Sequence, residues 1–118
     1  MTLETDIDDL WNRYDDELAA ADADAGVRRT LDEFLDALEA GEIRAARKTG
    51  DGVDSWEANE WVKRGVLLNF GLRKTERREY GGVGYYDVLP LRETDDLEAR
   101  GARNTPDGTV LRRGAHLG

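Results

Sequence analysis

The chain contains no cysteine, and this one absence removes disulfides, thiolate nucleophiles and cysteine-based zinc sites together. Long apolar runs are missing as well. No stretch approaches the roughly 18 apolar residues that a bilayer span requires, so no membrane partner is expected. Lysine is scarce: Lys48, Lys63 and Lys74 are the only ones, and arginine carries nearly all the positive charge. His116 is the single histidine. A catalytic or metal-binding role would need partners near it, and with none recognisable it is expected to be an incidental surface residue. A secretory leader is not expected either, because Met1-Thr2-Leu3-Glu4-Thr5-Asp6 is acidic where such a signal is basic and then apolar. A soluble, cytoplasmic protein is the resulting expectation.

What the sequence does have is acid. It carries 26 acidic against 17 basic residues, a net charge of −9. Nucleic acid is therefore not an expected partner, because phosphate contacts need clustered positive charge. An Asp-rich, Ala-rich, Lys-poor surface suits a salt-loving organism, where hydrated carboxylates keep a protein soluble. An ordinary acidic protein from a GC-rich genome is the competing explanation. With 118 residues, 39% hydrophobic and 36% charged, one modest core must be assembled from a few amphipathic elements.

Leu3, Ile7, Leu10, Trp11, Tyr14 and Leu18 recur at spacings of three and four and define one helical face. Asp6, Asp8, Asp9, Asp15 and Asp16 fill the other side, the earliest of them suiting the positive end of the helix dipole. Residues 19–26 read as helix end and linker, with Asp22 or Asp24 available to cap the next helix. That helix spans Val27 to Glu39, with Leu31, Phe34, Leu35 and Leu38 as its stripe and Gly41 as a left-handed stop. Ile43 to Lys48 reads as a short strand, with helix as the alternative, and Thr49-Gly50-Asp51-Gly52 as a turn. A third helix, Glu60 to Phe70, is apolar round much of its circumference and is expected to be the most buried. Gly65 in its middle costs about 1 kcal/mol relative to Ala, which implies a neighbour in close approach. Tyr80 to Gly84 reads as a glycine-rich bend and Tyr85 to Leu91 as a β-rich run ending at Pro90. Asp95 to Arg100 reads as a short helix closed by Gly101, and Val110 to Leu117 as a final strand. No internal repeat or linker divides the chain. One α+β domain is the expectation.

Several tempting sites are better read as structure. Gly81-Gly82-Val83-Gly84 lacks the lysine and following helix of a phosphate loop, and a hairpin turn suits it better. The Asp clusters at 6–9 and 15–16 lack the loop spacing and central glycine of a calcium hand, so they read as a solvated helix face and no metal is expected. Trp11, Trp56 and Trp61 read as core and packing residues.

From Gly41 onward, four pieces share order and spacing with one family. Gly41-Glu42-Ile43-Arg44-Ala45-Ala46 follows a helix, as that family's "SGxLRVAEK" segment does. Asn59 to Phe70 looks like its "W-(L/V)-K-K-A-V-L-L-x-F" helix, with Lys63-Arg64-Gly65 in place of K-K-A. Tyr85-Tyr86-Asp87-Val88-Leu89-Pro90-Leu91 is similar to its "(Y/F)-(Y/F)-D-K-V-P-(L/M)" strand. Gly101-Ala102-Arg103 and Val110-Leu111-Arg112-Arg113-Gly114-Ala115 resemble its "GFR…VRxGA" junction. The chain thus resembles the amino-terminal domain of the tetrahydrodipicolinate N-succinyltransferases.

That resemblance implies an enzyme that moves a succinyl group from succinyl-CoA, a co-substrate, to the amino group of opened tetrahydrodipicolinate on the diaminopimelate route to lysine. It implies a homotrimer built on a left-handed parallel β-helix, preceded by a small helix-rich α+β domain with a few short strands. Residues 1–105 would then be that domain, and 106–118 the junction and first strand leading toward the β-helix. No bound cofactor and no catalytic residue is expected in these residues, so the 118-residue chain alone is expected to be inactive. The resemblance places the family's substrate-contacting arginine at Arg103. A dicarboxylate does call for fixed positive charge, and a guanidinium fork binds a carboxylate bidentately. The plain alternative is a solvated arginine, one of several in Arg100, Arg103, Arg112 and Arg113. For the whole chain the alternative is a free-standing acidic interaction or regulatory module derived from such a domain, without catalysis.

Overall fold

The computed structural model describes residues 2–14, 23–106 and 108–118. Within them lie three helices, α1 (Leu3–Tyr14), α2 (Ala25–Ala40) and α3 (Glu60–Gly71). Two antiparallel hairpins accompany them: β1 (Ala46–Lys48) with β2 (Trp56–Ala58), and β3 (Glu76–Tyr80) with β4 (Val83–Asp87). This is a small α+β domain, as the sequence leads one to expect. Leu18, Asp15, Asp16, Asp22 and the first part of the expected linker fall outside the described residues.

The helical stripes meet in one core. Ile7 and Leu10 of α1, Leu31, Phe34 and Leu35 of α2, and Val62 and Leu68 of α3 are buried together with Leu72 and Leu89. Asp24 caps α2, its Oδ1 accepting from the Val27 N–H at 2.9 Å. Such a cap contributes about 1 kcal/mol. At the other end Gly41 takes φ 76°, and the N–H groups of Gly41 and Glu42 donate to the carbonyls of Leu38 and Ala37. That pair of bonds closes the helix in a left-handed stop.

The glycine inside α3 has the neighbour its position implies. A Cβ on Gly65 would stand 2.5 Å from Cζ of Phe34, so the ring lies directly on the α3 backbone. Trp61 meets the same ring edge-on, with centroids 6.1 Å apart. One turn further on, buried Asn69 donates to the Gly65 carbonyl at 2.9 Å and accepts from Arg73, which also reaches Asp32. The outer side of α3 is less covered than its composition suggests. Leu67 is 46% and Phe70 40% exposed, so α3 is central on one face only. Helix α1 is fastened to α3 by Arg64, which bonds Asp8 and stands over the Trp11 ring at 5.9 Å.

The strands depart from the reading in instructive ways. Ile43 to Lys48 yields only Ala46–Lys48 as strand, and its partner contains Trp56, placed by the sequence in a polar lead-in to α3. Trp56 pairs with Lys48 across the ladder and is 57% exposed, so it is not a core residue. Trp11 and Trp61, by contrast, pack against the core. The charged stretch before Gly81 hides β3, whose register runs from Glu76–Asp87 to Tyr80–Val83. The two-residue loop, Gly81 and Gly82, has φ 56° and 84°, as the tightest hairpin turns require.

Beyond β4 the backbone is held by single bonds. Leu91 and Arg112 form an isolated antiparallel bridge, flanked by bonds from the Arg92 N–H to Leu111 and from the Arg113 N–H to Pro90. Pro90 accepts here and is not asked to donate. Apart from that bridge the expected strand Val110 to Leu117 does not form, because Gly114 turns the chain at φ 96°. Asp95 to Arg100 forms a turn rather than a helix, since one turn fixes several dihedrals for little hydrogen bonding.

Substituting Gly65→Ala gains helix propensity but drives a methyl into Phe34. Overpacking of this kind costs about 1–3 kcal/mol, so the urea midpoint is expected to fall. Combining it with Phe34→Leu is expected to recover part of that loss; an unchanged midpoint in the single variant would contradict the packing described.

Candidate functional site

Of the four arginines Arg100, Arg103, Arg112 and Arg113, three are paired with carboxylates. Arg100 donates from Nε to Asp96 at 2.5 Å. Arg112 bonds Asp87 at 2.9 Å and stands over the Phe70 ring at 5.1 Å. Arg113 bonds Glu39 and Asp36 on the last turn of α2. Arg103 is different. It is exposed, two residues beyond Gly101, and among the described residues it makes no hydrogen bond or ion pair.

The turn that carries Arg103 is anchored from below. Asp96 accepts from Arg92 through both oxygens, at 2.9 and 2.8 Å. Leu97 is buried, and the Ala102 N–H donates to the Leu97 carbonyl at 2.9 Å. Gly101, at φ 68°, makes the left-handed step that ends the turn. Arg103 therefore projects from the first residue past a fixed backbone.

Arg92 is not among the residues the sequence points to, yet it is the centre of the region. It is only 7% exposed, one of two buried polar residues with Asn69 among those described. Its other neighbour is Glu39, whose Oε1 faces Nε at 3.7 Å. That gap is too long for a hydrogen bond, and both atoms lack another partner among the described residues, so their attraction is Coulombic only. The available signal was local: an arginine directly after Leu89-Pro90-Leu91, with carboxylate and guanidinium at Asp96 and Arg100 spaced by fours.

Two clefts share the Arg92 side chain as a wall. One, of about 260 Å³, is lined by Asp36, Glu39, Asp95, Asp96, Arg100 and Arg113 among others. The second, of about 340 Å³, lies between Tyr80, Thr94, Asn104 and Thr109 and so adjoins the residue after Arg103. No serine, cysteine or histidine lines either cleft. No group of histidine and carboxylate side chains among the described residues is arranged to hold a metal ion. Carboxylates outnumber the paired arginines of the first cleft, and the exposed guanidinium of the region without a described partner is that of Arg103.

His116 is no incidental surface residue. Its ring packs against Gly41, where a Cβ would come within 2.6 Å of Cε1, and Nδ1 lies 2.9 Å from the Glu39 carbonyl. The absence of a side chain at Gly41 is what admits it, and at a helix C-terminus the ring meets an orphan carbonyl.

Charge has a stability consequence here. Hydrogen bonds from Arg92, then from Arg100, hold the Asp96 carboxyl well below the ordinary aspartate value of 3.8. The Arg92 guanidinium is raised in turn by its bond to Asp96, against the opposing effect of burial. A carboxyl with a depressed folded-state pKa contributes stability that is complete above the unfolded value and lost as pH falls through the folded one. The stability gap between the wild type and Asp96→Asn is therefore expected to be constant above about pH 5, and to shrink as pH drops below 3.8. Urea midpoints measured down the acid series test this; a gap unchanged to pH 2 would contradict it.

Comparisons with known proteins converge on one family. Residues 2–72 match the family model described as the tetrahydrodipicolinate N-succinyltransferase amino-terminal domain. Relatives called 2,3,4,5-tetrahydropyridine-2,6-dicarboxylate N-succinyltransferase include one from Alkalilimnicola ehrlichii, 39% identical over 86% of this chain and 38% of its own length. Another, from Paracidovorax citrulli, is 34% identical over 98% of this chain and 42% of its own length. A third, from Caulobacter vibrioides, is 35% identical over 98% and 43% respectively. The chain thus spans about two-fifths of the length of the curated relatives it matches. By its matched domain and its relatives, this chain belongs to the tetrahydrodipicolinate N-succinyltransferase family, as that family's amino-terminal domain.

Proposed function

We propose that this domain supplies part of the dicarboxylate site of a succinyl-CoA-dependent tetrahydrodipicolinate N-succinyltransferase acting in lysine biosynthesis through diaminopimelate. The observation that carries the reading is the contrast among the arginines from residue 92 onward. Arg92, Arg100, Arg112 and Arg113 are each matched to carboxylates, whereas Arg103 stands exposed on an anchored turn without a described partner. A free guanidinium on a −9 chain is suited to an acidic metabolite.

In this reading the substrate amine attacks the succinyl thioester directly, so no protein nucleophile is needed, and CoA leaves as the thiol. The domain's share is orientation: holding a carboxylate fixes the amine relative to the thioester, and such positioning lowers the barrier without covalent chemistry. Residues 1–105 act as this domain and 106–118 as the junction toward a β-helix, with a homotrimer as the working assembly. A cytoplasmic setting and a salt-adapted acidic surface fit the composition, and neither membrane nor nucleic acid is a partner. No helix among the described residues is long and apolar enough to cross a membrane.

Joining this domain to the remainder of the Alkalilimnicola ehrlichii relative gives a testable enzyme. There Arg103→Ala is expected to raise KM for tetrahydrodipicolinate about tenfold with a smaller change in kcat, the pattern of lost substrate binding. An unchanged KM removes Arg103 from the site. The 118-residue chain by itself is expected to show no succinyl transfer, and turnover from it would overturn the division of labour proposed.

A further inference from the structure

We infer that Arg92 is a positioning residue, whose fork on Asp96 fixes the turn from which Arg103 reaches its acidic ligand. The inference rests on the substrate-site reading of Arg103 and goes beyond it, to what holds that side chain in place.

The connection runs through covalent and hydrogen-bonded steps only. Both terminal nitrogens of Arg92 bind the two oxygens of Asp96, and Nη1 also donates to the Glu93 carbonyl at 2.9 Å. Asp96 passes the restraint to Arg100, whose Nε shares its Oδ2 and whose N–H donates to its carbonyl. Gly101 and Ala102 then donate to Glu98 and Leu97. Arg103 comes next. The three residues before it are thus each hydrogen-bonded back to the turn that begins at Asp96, the carboxylate held by the buried Arg92 guanidinium.

The same side chain separates the two clefts and walls the one lined by Asn104. A shift of Arg92 would move the wall and the turn together.

Stability alone does not explain such a residue. A buried ion pair offsets its desolvation only with excellent geometry, and well-packed apolar side chains in its place are often as stable or more so. What a bidentate fork supplies that an apolar contact does not is a fixed direction, because both parallel bonds must align at once. Direction is what a substrate-binding loop needs. Arg92 also holds Glu39 by charge at 3.7 Å, and Glu39 is bonded to Arg113 on the tail. Turn and tail are therefore referred to one point.

The test uses the 118-residue chain and pimelate, a dicarboxylate, followed by amide NMR with backbone heteronuclear NOEs at residues 101–105. In the wild type those residues are expected to be ordered and pimelate to perturb them. Arg92→Lys, which keeps the charge and loses the fork, and Asp96→Asn are each expected to lower the NOEs and weaken pimelate by roughly tenfold, equivalent to about 1.4 kcal/mol. Gly65→Ala, which destabilises by overpacking the core elsewhere, is expected to leave both readouts unchanged. NOEs and affinity unaltered in Arg92→Lys and Asp96→Asn overturn the positioning role. So does an equal loss of pimelate affinity in Gly65→Ala, since that would be general destabilisation. If Arg103→Ala binds pimelate as tightly as the wild type, or if the wild type does not bind it, the substrate-site reading itself falls.

Discussion

Burying the Arg92 guanidinium is costly, and segments far apart in sequence are committed to offsetting that cost. Asp96 comes from the turn beyond Leu91, and Glu39 from the last turn of α2. Arg113 from the tail completes Glu39. The network works because each carboxylate faces more than one guanidinium, which spreads charge that a single pair would leave poorly solvated. Around it lie the stop of α2 at Gly41, the ring of His116 against that stop, and the bridge of Leu91 with Arg112. These features give the irregular third of the chain a defined geometry although it contains almost no regular secondary structure.

The helical part follows different physics. There the constraint is contact between Phe34 and the bare backbone at Gly65, backed by the edge-on Trp61 ring. Apolar packing sets the angle between α2 and α3, while polar bonds through Asn69, Arg73 and Asp32 set their register. Leu89 joins this core from the C-terminal side. It is the seam where the packed helices meet the charge-held turn and tail.

Helices were the most legible part of the sequence, because apolar spacing of three and four, Asp24, Gly41 and Gly65 each report a local requirement. Strands were less so. Glu76 to Tyr80 is charged and solvent-facing on alternate residues, so its pairing is visible only through the Gly81-Gly82 turn and the β-rich partner. Trp56 looked like core because aromatic residues usually are, but a three-residue strand at the surface has no second layer to bury it. For the site, resemblance to the family points to Arg103, while Arg92, Asp96 and Arg100 leave only a spacing by fours. The bond of Glu39 to Arg113 spans 74 residues, and long-range ionic pairing of that kind leaves no local pattern. The contact of His116 is equally invisible in the sequence, since it is to the far end of α2.

If the ionic hub joins turn and tail to the helical core, they should open together. Hydrogen exchange at the amides of Arg92, Ala102 and Arg113 reports this directly, because their acceptors are Leu111, Leu97 and Pro90. Protection approaching that of core amides in α2 and α3 is the expected result, with selective loss at all three amides in Asp96→Asn. Exchange at the rate of an unstructured loop in the wild type would contradict the structure's central feature.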